Sequence, residues 1–276
     1  MPRWTQSGKS GRLLTVKLCM RIALIVGFAV VAVLTLFLLP PIPQDSAYHN
    51  FADQRIVWGT PNFWNVMSNL PFLLVAIWGL RALRSQSAFH QNWERTAYCL
   101  LLTGVAFVAF GSAYYHLSPN NATLFWDRLP MTIAFMSLFA TTIGERISMR
   151  AGQLLLFPLI AIGAASVLYW RVSGDLRSYA LVQFLPMITL PLMVVLLPPR
   201  YTGTNGILGM IGFYTLAKIL ELFDHQIGEI LATGGHHWKH IAAALAMLCY
   251  VSTVADRQIS AEQDPARPQS LLVPGS

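Results

Sequence analysis

The stretch GSAYYHLSPNNATLFWDRLP, residues 111–130, lies between two long apolar runs and carries Ser112, His116 and Asp127 where a bilayer should surround the chain. Its middle, LSPNN (117–121), has the composition of a turn. The apolar run before it therefore ends one helix at SAYYH, and the run after it starts another near WDRLPM. A charged side chain at the centre of such a helix costs roughly 2.5–3.5 kcal/mol on insertion scales, so each one needs a partner or a purpose.

The surrounding sequence makes the membrane setting general. Of 276 residues, 55% are hydrophobic and 11% charged, and the apolar ones come in runs long enough to cross a bilayer. The runs predict helices near 22–41, 62–83, 95–116, 125–144, 152–170, 179–197, 205–223 and 236–255. The expected fold class is an all-α integral membrane protein, with a seven-helix transmembrane core over 62–255 and one extra N-terminal transmembrane helix over 22–41. A basic N-terminus (1–21), an outer loop (42–61) and a flexible tail (256–276) complete the expected organisation. The first run has no small-residue cleavage site after it and reads as an uncleaved anchor. Pro158, Pro186 and Pro191 fall inside predicted helices, where they should bend them.

The formal net charge of +7 reflects basic residues at the N-terminus and between apolar runs, a pattern of membrane orientation and not of nucleic-acid binding. Arg3, Arg12, Arg81, Arg84, Arg95, Arg146, Arg150, Arg200, Arg257 and Arg267 fall on one side in this reading. Both termini are then expected in the cytoplasm, with His116 and the start of the last helix on the outer side. The three cysteines, Cys19, Cys99 and Cys249, have no CxxC spacing and suggest neither a disulfide framework nor a thiolate metal site.

Far along the chain, GGHHWKH places His236 and His240 four residues apart, one helical turn, on one face. HxxxH alone is more often a pair of interfacial or hydrogen-bonded histidines than a metal site. His116 changes that balance, because it ends a helix on the side where His236 begins one. Three imidazoles on one side suit a tetrahedral zinc site with an open fourth position. Ser112 lies one turn before His116, and Asp127 follows the turn; their bland readings are a backbone hydrogen bond and a helix N-cap. Together the five residues supply what a zinc hydrolase needs: a metal, a carboxylate for protons and a hydroxyl for an oxyanion. In YTLAKILELFDHQIGE, Lys218, Glu221 and His225 share a helical face, and a Lys218–Glu221 pair is expected. Lys239 has Glu221, Asp224 or the metal site within its expected reach.

On SAYYH, WDRLPM and HHWKH, together with NFWNVMSNLPF (62–72), the sequence resembles the alkaline ceramidase family. The family sits in a membrane hydrolase superfamily with progestin/adiponectin-type receptors and lipid remodellers. The resemblance implies that His116, His236 and His240 bind zinc, that Ser112 supports the oxyanion and that Asp127 shuttles protons. It further implies a membrane lipid amide such as ceramide as substrate, in a bacterial inner membrane rather than the ER or Golgi. Some members also bind calcium in an acidic loop. Here AYHNFADQRIVWGTPN (47–62) offers Asp53 and Asn62 as doubtful calcium ligands and little else, whereas calcium takes six to eight oxygens. Two rivals stay open: a lipid receptor with structural zinc, and a lipid ester hydrolase.

Overall fold

The computed structural model describes residues 6–82, 89–231 and 233–260. Arg3, Arg84, Arg267 and the tail from residue 261 lie outside the described residues. The helices are α1 (Gln6–Leu38), α2 (Phe63–Met67), α3 (Leu70–Ala82), α4 (Asn92–Leu117) and α5 (Asn121–Arg146), then α6 (Met149–Ser173), α7 (Arg177–Leu196), α8 (Thr204–Leu222), α9 (Asp224–Leu231) and α10 (His236–Asp256). Among the described residues there is no β-strand, only two isolated bridges. The protein is an all-α membrane protein. Among the described residues, six spans are long and apolar enough to cross a bilayer, counting α2 with α3 as one, and the bent pair of α8 and α9 makes a seventh when taken as a single span.

The remaining long helix, α5, is below that apolar threshold for a reason that organises the bundle. At 26 residues it is about 39 Å long, ample for a span. Its polar residues Thr123, Arg128, Thr132, Ser137, Thr141 and Arg146 are buried, so they face protein and not lipid. The helix is the polar spine against which α4, α6 and α7 pack. By contrast α1 buries little beyond Ile25, which joins Ile143, Met193 and Leu197 in one apolar cluster. Exposed Leu24, Val31, Leu34 and Phe37 leave most of α1 free to meet acyl chains, in keeping with an addition to a seven-helix core.

Small residues allow α4 and α5 to approach closely, as membrane helix pairs favour. A Cβ on Gly104 would come within 2.8 Å of the Ala134 backbone nitrogen, and one on Gly111 within 2.1 Å of the Trp126 carbonyl oxygen. Gly111 directly precedes Ser112, so this approach also sets the distance between Ser112 and Asp127. Gly111→Ala is expected to lose about 1–3 kcal/mol of stability by overpacking. A lowered melting temperature in detergent is the readout, and an unchanged one would show that the helices separate freely.

Several helix ends differ from the sequence expectation. α5 begins at Asn121, with Asn120 as N-cap accepting from Ala122 N at 2.8 Å and Thr123 N at 3.1 Å. Asp127 is therefore not a cap but lies well inside the helix, on its second turn. The predicted span 205–223 ends in an 80° bend between α8 and α9. That bend removes His225 from the face of Lys218 and Glu221; its Nε2 lies 2.9 Å from the Asn50 carbonyl oxygen. The span 62–83 is divided at Ser68 and Asn69. Pro158, Pro186 and Pro191 are inside helices as read from the sequence, and Pro130 joins them.

The segment 39–62 crosses the histidine-bearing end of the bundle and is pinned along its length. Ile42 N donates to Asp175 Oδ1 at 3.2 Å, and Arg128 Nη2 to Gln44 Oε1 at 2.7 Å. His49 bridges the Tyr115 hydroxyl at 2.8 Å and Asn121 Oδ1 at 2.9 Å. Asp175 also pairs with Arg177, which donates to the Leu39 carbonyl oxygen at 2.6 Å. The guanidinium and neighbouring N–H donors hold the Asp175 carboxyl down to about 2. Its contribution to stability is thus present above the unfolded carboxylate value and is lost as pH falls through about 2. At the opposite end, Arg257 binds Glu94 at 3.2 Å and also pairs with Glu145, tying α10 to α4 and α5.

Candidate active site

His116 comes from the last turn of α4, and His236 and His240 from the first two turns of α10. One ligand nitrogen from each lies within 4.8 Å of the others, and all three side chains are buried. Their ring centroids are 4.9–5.0 Å apart. The turn at 117–121 and the start of α10 therefore bring together histidines that are 120 residues apart in the chain.

Neighbouring groups fix these rings. Ser68 Oγ donates to the Asn65 carbonyl at 3.1 Å and lies 2.8 Å from His240 Nδ1. This network assigns the proton to Nδ1 and leaves Nε2 with its lone pair. Asp224 seats the start of α10: its Oδ1 accepts from Gly235 N at 2.7 Å and His236 N at 2.8 Å, while Oδ2 accepts from Ala52 N at 3.0 Å. Negative charge there also suits the positive end of the helix dipole. Asn62, at φ +48°, donates to the His116 carbonyl at 2.9 Å. Phe51 closes the group from the loop, its ring 4.7 Å from that of His116 and 4.4 Å from that of His236.

The three imidazoles fit a metal ion on grounds internal to the structure. His116 Nδ1 is buried and has no hydrogen-bond partner, a costly condition unless an electron-pair acceptor is bound. Neutral nitrogens in an acid-free donor set match zinc in preference to the hard cations. His237 is buried too, but it packs on Trp238 and is not one of the converging three.

Ser112 of α4 and Asp127 of α5 are neighbours across the close contact between those helices. Both line a cavity together with His240, Lys239, Arg128 and Tyr179. Five of its lining residues, Phe72, Val108, Met131, Tyr214 and Ala243, also line a second, apolar cavity of about 180 Å³ bounded by α3, α4, α5, α7, α8 and α10. Polar chemistry and a greasy chamber thus share a wall.

Lys218 and Lys239 both bind Glu221, at 2.7 and 2.9 Å, so the expected Lys218–Glu221 pair gains a second cation. Lys239 Nζ is also 3.2 Å from His236 Nε2. Of the calcium candidates, Asp53 has Arg55 Nε 2.5 Å from its Oδ1 and a buried Oδ2 without a partner, and the Asn62 amide nitrogen donates to the His116 carbonyl. Trp126 and Trp238 are half exposed, as interfacial tryptophans are. Phe51 and Ser68 were not singled out by the sequence, which offers no spacing signal for a ring above the site or a hydroxyl behind a ligand.

Ser68→Ala is expected to weaken metal binding by roughly 10–100-fold, the range for removing a partner behind a ligating histidine. Competition with a chelator measures this, and an unchanged affinity would mean that Ser68 does not orient His240.

A family model described as Ceramidase matches residues 56–273. A search among curated proteins returned no match. The matched region includes every converging histidine and the Ser112–Asp127 pair, and it excludes α1, the added helix. With the match covering most of the chain, this all-α membrane protein belongs to the ceramidase family.

Proposed function

We propose that the protein is a zinc-dependent intramembrane hydrolase that cleaves a lipid amide, of the ceramide kind, into an amine-bearing base and a fatty acid. The observation that carries this reading is the buried three-histidine group beside a Ser112–Asp127 pair whose cavity adjoins an apolar one. His116, His236 and His240 would hold the metal. Zinc supplies Lewis acidity when bound, polarising a carbonyl and lowering the pKa of water toward about 7.

The chain's own groups do the rest. Asp127 takes a proton from the attacking water and delivers it to the leaving nitrogen as the C–N bond breaks. Ser112 donates its hydroxyl hydrogen to the carbonyl oxygen as negative charge grows there. The apolar cavity between α5, α7 and α8 receives an acyl chain from the bilayer, and segment 39–62 screens the site from bulk water. By the placement of Lys and Arg, both termini lie in the cytoplasm and the site faces the opposite side.

Purified protein given matched lipid amides and esters is expected to release fatty acid from the amides. Release from esters alone would move the protein to the ester-hydrolase reading.

A further inference from the structure

Arg128 is a buried cation in the wall of the polar cavity. Arg128 is 5% exposed, and among the described residues no carboxylate lies within ion-pair distance of it. Its guanidinium is held by aromatic faces, 4.4 Å from the Trp170 ring centroid, 4.6 Å from that of Tyr179 and 5.5 Å from that of Tyr48. Nη2 donates to Gln44, whereas Nη1 is buried with no hydrogen-bond partner. Arg128 lines the same cavity as Ser112, Asp127 and His240.

The other charges of that cavity do not answer it. Glu221 is shared between Lys218 and Lys239, and Asp127, although the preceding residue, is not within ion-pair distance of the guanidinium. Lining the cavity are therefore Arg128, Lys218 and Lys239 against Glu221 and Asp127, an excess of one positive charge. A buried charge without a pair is unfavourable, and a guanidinium stacked on rings keeps its planar edge for a carboxylate or phosphate. A plain ceramide head offers only hydroxyls and leaves that edge unanswered.

We propose that Arg128 binds an anionic group, carboxylate or phosphate, on the polar end of the lipid amide cleaved at this site. The substrate class is then an acidic acyl amide, either an N-acylated amino acid or a phosphorylated N-acyl amino alcohol. This rests on the hydrolase reading above.

The test uses full-length protein in detergent and three amides with one acyl chain: an N-acyl amino acid, a phosphate-bearing ceramide and a neutral ceramide. Wild-type protein is expected to favour one acidic amide over the neutral one by about tenfold or more in kcat/KM, the size of a charged hydrogen bond. The preferred member identifies carboxylate or phosphate as the source. Arg128→Gln should bring the ratio near one, mainly by raising KM for the acidic amide, and Arg128→Lys should keep part of it. A wild-type ratio of one, or a ratio unchanged in Arg128→Gln, overturns the proposal. If wild type cleaves no amide, the hydrolase reading fails separately, and binding of the acidic amides decides: weakening by tenfold in Arg128→Gln supports an anion site, and equal binding overturns it.

Discussion

Replacing His116 with alanine is expected to bring zinc content to background and to abolish turnover while the helical fold persists. His116 is 1% exposed and is the only one of the three histidines contributed by α4, so its loss leaves two imidazoles on a single helix. Two nitrogens one turn apart do not enclose a tetrahedral ion. The fold should survive because the α4–α5 contact rests on Gly104 and Gly111, and the packing of α4 on α3 and α10 rests on residues such as Leu101, Leu102 and Val105, all away from the ring. Metal analysis and circular dichroism on the same sample check this; bound zinc near one per chain in the variant would remove His116 from the ligand set.

Asp127→Asn is expected to separate chemistry from ligation. Asparagine keeps the shape of the aspartate, so the α4–α5 contact is preserved, but it neither takes nor delivers a proton. Zinc should stay at wild-type stoichiometry while kcat falls by about 10²–10⁴, the usual worth of a positioned acid–base group. Full activity would demote Asp127 to a structural role; zinc lost along with activity would make it part of the metal's support.

The sequence made the bundle legible because lipid imposes a simple rule: a span is a long apolar run. The rule is weakest where protein replaces lipid. α5 carries buried Thr132, Ser137 and Thr141, which lowers its apolar character and displaced its expected start to residue 125, past the cap at Asn120. The break after α8 was hidden for a related reason. Asp224 is part of an uninterrupted helical pattern in the sequence, yet it caps α10 and anchors Ala52, contacts with residues remote from it in the chain.

The convergence of His116 with His236 and His240 could be read from two signals, a one-turn spacing and a shared side of the membrane. What surrounds them could not. Ser68 and Phe51 are ordinary residues until the fold places one behind His240 and the other on the rings of His116 and His236. Arg128 entered the sequence reading only as a letter of the WDRLPM stretch. Its burial and its bare Nη1 follow from the aromatic rings of α6, α7 and the capping segment, which no local pattern encodes.

The central claim is that these three histidines hold a zinc ion needed to hydrolyse a lipid amide. The most direct test is elemental analysis of the purified protein and of its triple-alanine variant at His116, His236 and His240, with lipid mass spectrometry on the same samples. One zinc per chain and amide cleavage in the wild type, with both absent from a folded variant, is the predicted result. Equal zinc in the two proteins, or amide cleavage that survives the loss of all three imidazoles, would contradict it.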